Sequence, residues 1–282
     1  MGISVISCHN VVWTFTDIIR ALRFDDKAMR SQHIAVQEIF DKFLGKCCSS
    51  YKCGASVTVD EHFISFHGNC QFRTFIPSKP GKYALKLWIM ADSETFYCDD
   101  AQLYAGKVGN QTDVGQGMRV VLQLTESIAQ SRRNVTTDNL FTNYQLATEL
   151  QQRHFCIVGT VRSNKCEVPK EMLPSSDRAV YSSKFGFHDA KTLVSYVPKP
   201  RKAVILLSTQ HHDNSMATDD KAKPDFIHYY NLTKSGVDIL DKVVHTYSCK
   251  RATARWIVAF FLNMINIAAY SAPVMCITCN EQ

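Results

Sequence analysis

Residues 57–63 read VTVDEHF, and the reading of this run decides the fold. Apolar and small polar residues alternate from Val57 onward, which is the period of a strand. The strand carries Asp60 and Glu61 to an ordered edge. Carboxylates fixed there cost free energy unless something cationic stands opposite. What the paired charge is for is the question the rest of the chain has to answer.

Outward from this run, strand signals come in series. SVTVDEHFISF (56–66) is followed by YALKLWIMAD (83–92) and TFYCDDAQLYAG (95–106), the last two joined by a tight connection at Ala91-Asp92-Ser93-Glu94. QGMRVVLQLTESIAQ (116–130) has apolar residues at helical spacing. RNVTTDN (133–139) predicts a short strand ending in Asp138, NYQLATELQQR (143–153) a helix, and FCIVGTVR (155–162) an apolar strand. Upstream, 10–23 and 34–45 read as helical, the second stopping at Gly45, with CCSSYKCG as a loop. Residues 163–225 differ in texture: they hold most of the eight prolines, two strand-like runs (KTLVSYVP and AVILLST) and a polar loop. SGVDILDKVVHTYSC (235–249) predicts a helix, and the apolar segment from Trp256 another. Three antiparallel strands, then helix, strand, helix, strand, an interruption and late helices are the grammar of an α/β, ribonuclease H-like domain, a mixed sheet flanked by helices. Fold alone does not settle function.

Composition sets bounds. The chain has 282 residues, 45% hydrophobic, enough for a proper core, and a formal charge of +6 that is only a mild bias toward polyanions. Eleven cysteines, an odd and scattered set with no signal peptide before them, read as free thiols in a reducing compartment. Cys276 and Cys279 form one CxxC without a second pair, so no zinc is expected. Trp256 to Thr278 is free of charged side chains and long enough to span a membrane, but Asn263, Asn266, Ser271 and Pro273 favour a buried core helix and no membrane partner.

In a domain of this order the first strand, the end of the fourth strand and the late helix converge, and each carries an aspartate: Asp60, Asp138 and Asp238. Asp241 lies one helical turn past Asp238, on the same face. Carboxylates aimed at one place repel, and their pKa values rise unless a cation neutralises them. Mg²⁺, or Mn²⁺, suits such oxygen ligands, and two ions roughly 4 Å apart can activate an attacking oxygen and stabilise a leaving one. The matching chemistry is in-line phosphoryl transfer on a nucleic acid. Taken singly, each aspartate also fits a turn or cap position, and Asp238 fits a first helical turn.

Longer strings carry a resemblance: RFDDK (23–27), VTVDEHFISFHGNCQFRTFIPSKPGKYALKLW (57–88), NVTTDNLFTN (134–143), IVGTVRSNKCEVP (157–169), LVSYVPKP (193–200), YYNLTKSGVDILDKVVHTYSCKRATARW (229–256) and MINIAAYS (264–271). In order and over nearly the whole chain, they resemble the transposase core of the piggyBac family. The resemblance implies catalytic aspartates at Asp60, Asp138 and Asp238, metal ligation by these and Asp241, and about two divalent ions. It implies a β-rich subdomain inserted before the last catalytic helix. The organisation expected is a helical N-terminal part (1–50), a first core part (51–162), the insert (163–225) and C-terminal core helices (226–282). Double-stranded DNA is the implied partner, with cutting at transposon ends, hairpin intermediates and TTAA targets, in a nuclear homodimer. Arg73, Lys79, Lys82, Lys86, Lys250, Arg251 and Arg255 are expected phosphate contacts. Trp256 is expected near the site, stacked on an unpaired base or packed as a core aromatic. His67-Gly68-Asn69 departs from the family's Arg-Gly-Arg, and His62 from its Gln. These departures support a second reading, a transposon-derived remnant or host-adopted protein that binds DNA or protein without cutting.

Overall fold

The computed structural model describes residues 17–24, 36–77, 81–106, 115–218 and 220–280. Lys79 and most of the segments expected to be helical at 10–23 and charged at 23–33 lie outside them. Strand β1 (Ser56–Ser65) pairs antiparallel with β3 (Tyr83–Asp92). The two-residue β2 (Thr74–Phe75) and the longer β4 (Cys98–Leu103) both pair antiparallel with β3. On its other edge β1 pairs in parallel with β5 (Asn134–Thr137), which pairs in parallel with β6 (Cys156–Thr160). The sheet then continues antiparallel through β9 (Lys202–Ser208), β8 (Lys191–Lys199) and β7 (Ser183–His188). The arrangement is the mixed sheet of a ribonuclease H-like domain, and the segment 163–225 supplies three strands that extend this one sheet.

Helices cover both faces. On one, α1 (Gln37–Ser50), α5 (Gly236–Thr246) and α6 (Trp256–Asn280) bury Phe40, Leu240 and Phe260 against Leu85, Leu87 and Ile89 of β3. On the other, α2 (Gln116–Leu124) and α3 (Tyr144–Gln152) bury Val120, Leu124, Leu146 and Leu150 against Val57 and Val59 of β1. The alternation read in VTVDEHF is therefore a sheet buried on both faces. α4 (Asp225–Thr233), which the sequence reading had left without an element, lies over β6 and β1. α1 runs through Gly45 to Ser50, so CCSS is helix and not loop, and it buries Cys47. α6 is long and apolar enough to cross a membrane, yet half of that window is buried inside the fold, and Asn263, Asn266 and Ser271 are among its buried residues.

Candidate active site

The β1–β5 register places the first two aspartates. Val59 stands opposite Thr137, so one further step along both chains sets Asp60 beside Asp138. Parallel strands lie about 4.8 Å apart, and paired residues share a face. That face is the one α4 and α5 cover. Thr58 Oγ1 donates to the Thr233 carbonyl, and Thr136 Oγ1 donates to Thr233 Oγ1 at 2.8 Å. Gly236 opens α5 hard against β1: a β-carbon there would lie 2.7 Å from Thr58 Oγ1 and 3.1 Å from the Asp92 carbonyl. This close approach lays α5 along β1, with Asp238 in its first turn.

The two acids of the opening run have different fates because successive side chains point to opposite faces. Glu61 is on the α2 and α3 face, where Lys86 Nζ meets its Oε1 at 2.9 Å and also sits over the rings of Trp88 and Tyr104. Asp60 has no lysine or arginine within 4.0 Å among the described residues; its Oδ1 accepts the Glu61 N–H at 2.7 Å. Burial pushes its carboxyl up to about 7; the Glu61 N–H opposes this, and the charges of Asp138, Asp238 and Glu61 add to it. Burial also raises Asp138, whose Oδ1 accepts the Leu140 N–H at 2.8 Å, while Glu61 raises it and Arg162 lowers it. Asp238 is exposed.

The donor set is oxygen only, and burial, with the neighbouring carboxylates adding to it, holds one of its carboxyls up to about 7. Such a set fits a hard divalent ion. Among the described residues no three His, Cys, Asp or Glu side chains already enclose one ion. The four acids expected to converge, Asp60, Asp138, Asp238 and Asp241, are thus not gathered into one ready-made ligand cage.

Asp241, expected as a further ligand, has a neighbour: its Oδ1 lies 3.0 Å from Nδ1 of His62, a close contact without hydrogen-bond alignment. The opposite ring nitrogen of His62 meets Asn263 Oδ1 at 3.2 Å.

Several expected DNA contacts are engaged internally. Arg73 donates to the carbonyls of His67 and Gly68 at 2.9 and 2.8 Å and stacks over Tyr83. Lys250 donates to the Ser65 carbonyl at 2.7 Å, and Arg255 to the carbonyls of Ile19, Arg20 and Leu22. Lys82 and Arg251 are exposed. Trp256 is half-buried, edge-on to Phe72 with ring centres 4.9 Å apart.

Two residues not anticipated from sequence adjoin the aspartates. Arg162 acts on Asp138 and donates through Nε to Asn139 Oδ1 at 3.0 Å. Tyr230, on α4, is raised by burial; a hydrogen bond with Thr160 opposes this, and the charges of Asp138, Asp60 and Asp238 add to it. Lys234 Nζ lies 5.5 Å over its ring. Both sit in strings already singled out, IVGTVR and YYNLTK, but only the fold brings them to the carboxylates.

Residues 14–272 match the family described as transposase IS4. Among solved structures, the chain is similar to the piggyBac transposase synaptic complex with hairpin DNA: 40% identity, a TM-score of 0.87, covering 93% of this chain and 56% of that one. The chain thus spans little more than half the length of that relative. A Mos1 transposase paired-end complex aligns at 15% identity over 51% of this chain and 49% of that one, with a TM-score of 0.26 that carries no argument.

Proposed function

The chain belongs to the IS4 transposase family and, within it, to the piggyBac kind, and we propose that this transposase-derived domain cuts and rejoins DNA strands through Asp60, Asp138 and Asp238. The observation that carries the reading is a pair of register-adjacent aspartates on one sheet face, one of them pushed up to about 7 with no internal cation to offset it. Asp60, Asp138 and Asp238 would hold Mg²⁺ or Mn²⁺, in about two sites. When bound, the ions supply charge neutralisation at the attacking and leaving oxygens. Asp60, fixed mid-strand on β1, and Asp138, just past the end of β5, set the position of the scissile phosphate, and Asp238 closes on it from the helix. Tyr230, kept protonated by burial and by the aspartates, donates to a non-bridging phosphate oxygen. Arg162 stands at the outer edge of Asp138 as a counter-charge for the next phosphate along the strand. Lys82 and Arg251 are free to meet the backbone farther out, which gives affinity and register but not sequence choice. DNA hairpin intermediates, TTAA targets, a homodimer and a nuclear location belong to the same proposal, supported by the likeness to piggyBac transposase.

A second reading, a fold that binds DNA without cutting it, is favoured by the engagement of Asp241 with His62 and of Arg73, Lys250 and Arg255 with backbone carbonyls. One assay separates the two: the protein incubated with transposon-end duplex in Mg²⁺ or Mn²⁺. Metal-dependent nicks that vanish in Asp60→Asn and Asp138→Asn, with DNA binding retained, support the cutting reading. Binding with no metal-dependent product from the wild type gives the case to the second.

A further inference from the structure

On the sheet face opposite Asp60 and Asp138, where α3 and the β7–β8 hairpin meet, there is a cavity of about 440 Å³. Its floor is apolar, built from Val161, Met172, Leu193 and Leu207, with Phe187 at the side. The volume lies within the range of small-molecule sites, which are mostly apolar with a few placed polar groups.

The polar group placed here is unusual. Lys191 lines the cavity and is only 7% exposed. Among the described residues no carboxylate pairs with its ammonium within 4.0 Å; its partner is the face of the Tyr144 ring, 4.6 Å from Nζ. The stem of Lys191 is buried while its ammonium is not among the buried unpartnered polar atoms, so the charge stands over the ring face with solvent access. The ring itself is fixed: Tyr144 Oη meets His188 Nδ1 at 3.0 Å and donates to Asp189 Oδ2 at 3.2 Å, and those two partner atoms lie 3.2 Å from each other. Asp189 is thus committed to Tyr144 and His188. Glu167 also lines the cavity, but it is exposed and accepts from the Cys166 thiol at 3.4 Å. The cavity thus holds a lysine ammonium with no carboxylate partner, and Glu167 stands exposed at its rim.

We propose that this cavity is a binding site for a small amphipathic anion, a flat aromatic or acyl body bearing one carboxylate or sulfonate. The body lies on the apolar floor and against Phe187, and the acid group meets Lys191 Nζ. The site is independent of the DNA-cutting reading, since it shares no residue with the aspartate cluster.

The test is a fluorescence titration of the full chain with 8-anilinonaphthalene-1-sulfonate, with 2-naphthoate and the neutral 2-naphthylmethanol as competitors. The expected result is saturable binding of one probe per chain, displaced by 2-naphthoate. The neutral alcohol should compete about tenfold worse, about 1.4 kcal/mol, because it loses the charge-assisted hydrogen bond to the ammonium. Lys191→Met should weaken the probe by a similar factor and Lys191→Arg should retain it. Absence of saturable binding, equal competition by the alcohol, or unchanged affinity in Lys191→Met overturns the proposal. If Lys191→Met does not fold, the alcohol-to-naphthoate ratio on the wild type decides by itself. A short acidic-aromatic peptide that displaces the probe when 2-naphthoate does not also overturns it, because the occupant is then a protein segment.

Discussion

Asp60 and Glu61 are neighbours with the same charge, and the sequence offers no way to tell them apart. Strand alternation separates them: Glu61 turns to a face where Lys86 stands, and Asp60 turns to a face where the nearest charges are also negative. The aspartates were singled out in the sequence by the elements that carry them and by the neighbouring strings, and the fold sets Asp60 and Asp138 beside each other. The state of the basic residues was not legible. A sequence shows that Arg73 and Lys250 are cations but not that backbone carbonyls at and just past the end of β1 already hold them. The energetic consequence for Asp60 has a definite sign. Its folded value is raised, so across the window from an ordinary aspartate value to about 7 the folded state keeps a proton that the unfolded chain has released. Stability attributable to this group therefore falls as pH rises through that window and is level above it. Asp60→Asn should exceed the wild type in stability at pH 8 by about 1–3 kcal/mol, a tenfold change in proton affinity being worth about 1.4 kcal/mol. The advantage should fade toward pH 4, and added Mg²⁺ should narrow the gap at pH 8. Urea titrations at the two pH values check this; equal stability at pH 8 contradicts it.

At the scale of elements, the site depends on how closely α5 approaches β1. Gly236 permits it, and Val237, Leu240 and Val244 anchor the helix in the core, so that the charge of Asp238 reaches Asp60. Gly236→Val should push the helix off the sheet. Overpacking of this sort costs about 1–3 kcal/mol, and DNA cleavage should fall further than the stability loss explains, because Asp238 moves with the helix. Paired melting and cleavage measurements test that; a variant that melts lower but cuts like the wild type contradicts it. α5 was legible from its periodicity, while α4 was not. DFIHYYNLT follows Pro224 and is rich in aromatic and β-branched residues, which are indifferent helix formers. Its helix rests on tertiary bonds, Tyr229 to Ser56 and Thr233 to Thr58 and Thr136, that no local pattern announces. The run past Gly45 in α1 has the same cause, since burial of Cys47 outweighs the weak helix propensity of a single glycine.

Across the whole molecule, the succession of β1, β3, β4, β5 and β6 with the helices between the last of them was legible as a pattern, because each strand signal is local. The partner of β9 was not, because its pairing with β6 joins residues almost fifty positions apart: Val158 opposite Ser208. The segment 163–225 stands out in composition, yet its strands continue the core sheet, and its Leu207 packs into the same core as Val57 and Phe141. Replacing 163–225 with a short flexible linker should therefore leave β6 as a bare edge and abolish cooperative unfolding. A discrete inserted unit would tolerate the deletion, and a sharp melting transition in the deleted protein contradicts the continuous sheet. The central claim is that Asp60, Asp138 and Asp238 act together on one divalent cation cluster. Calorimetric titration of Mn²⁺ into the wild type and into the three single Asn variants tests it most directly. The account predicts saturable binding by the wild type and a loss of about tenfold or more, at least about 1.4 kcal/mol, in each variant. Variants that bind Mn²⁺ as the wild type does would contradict it.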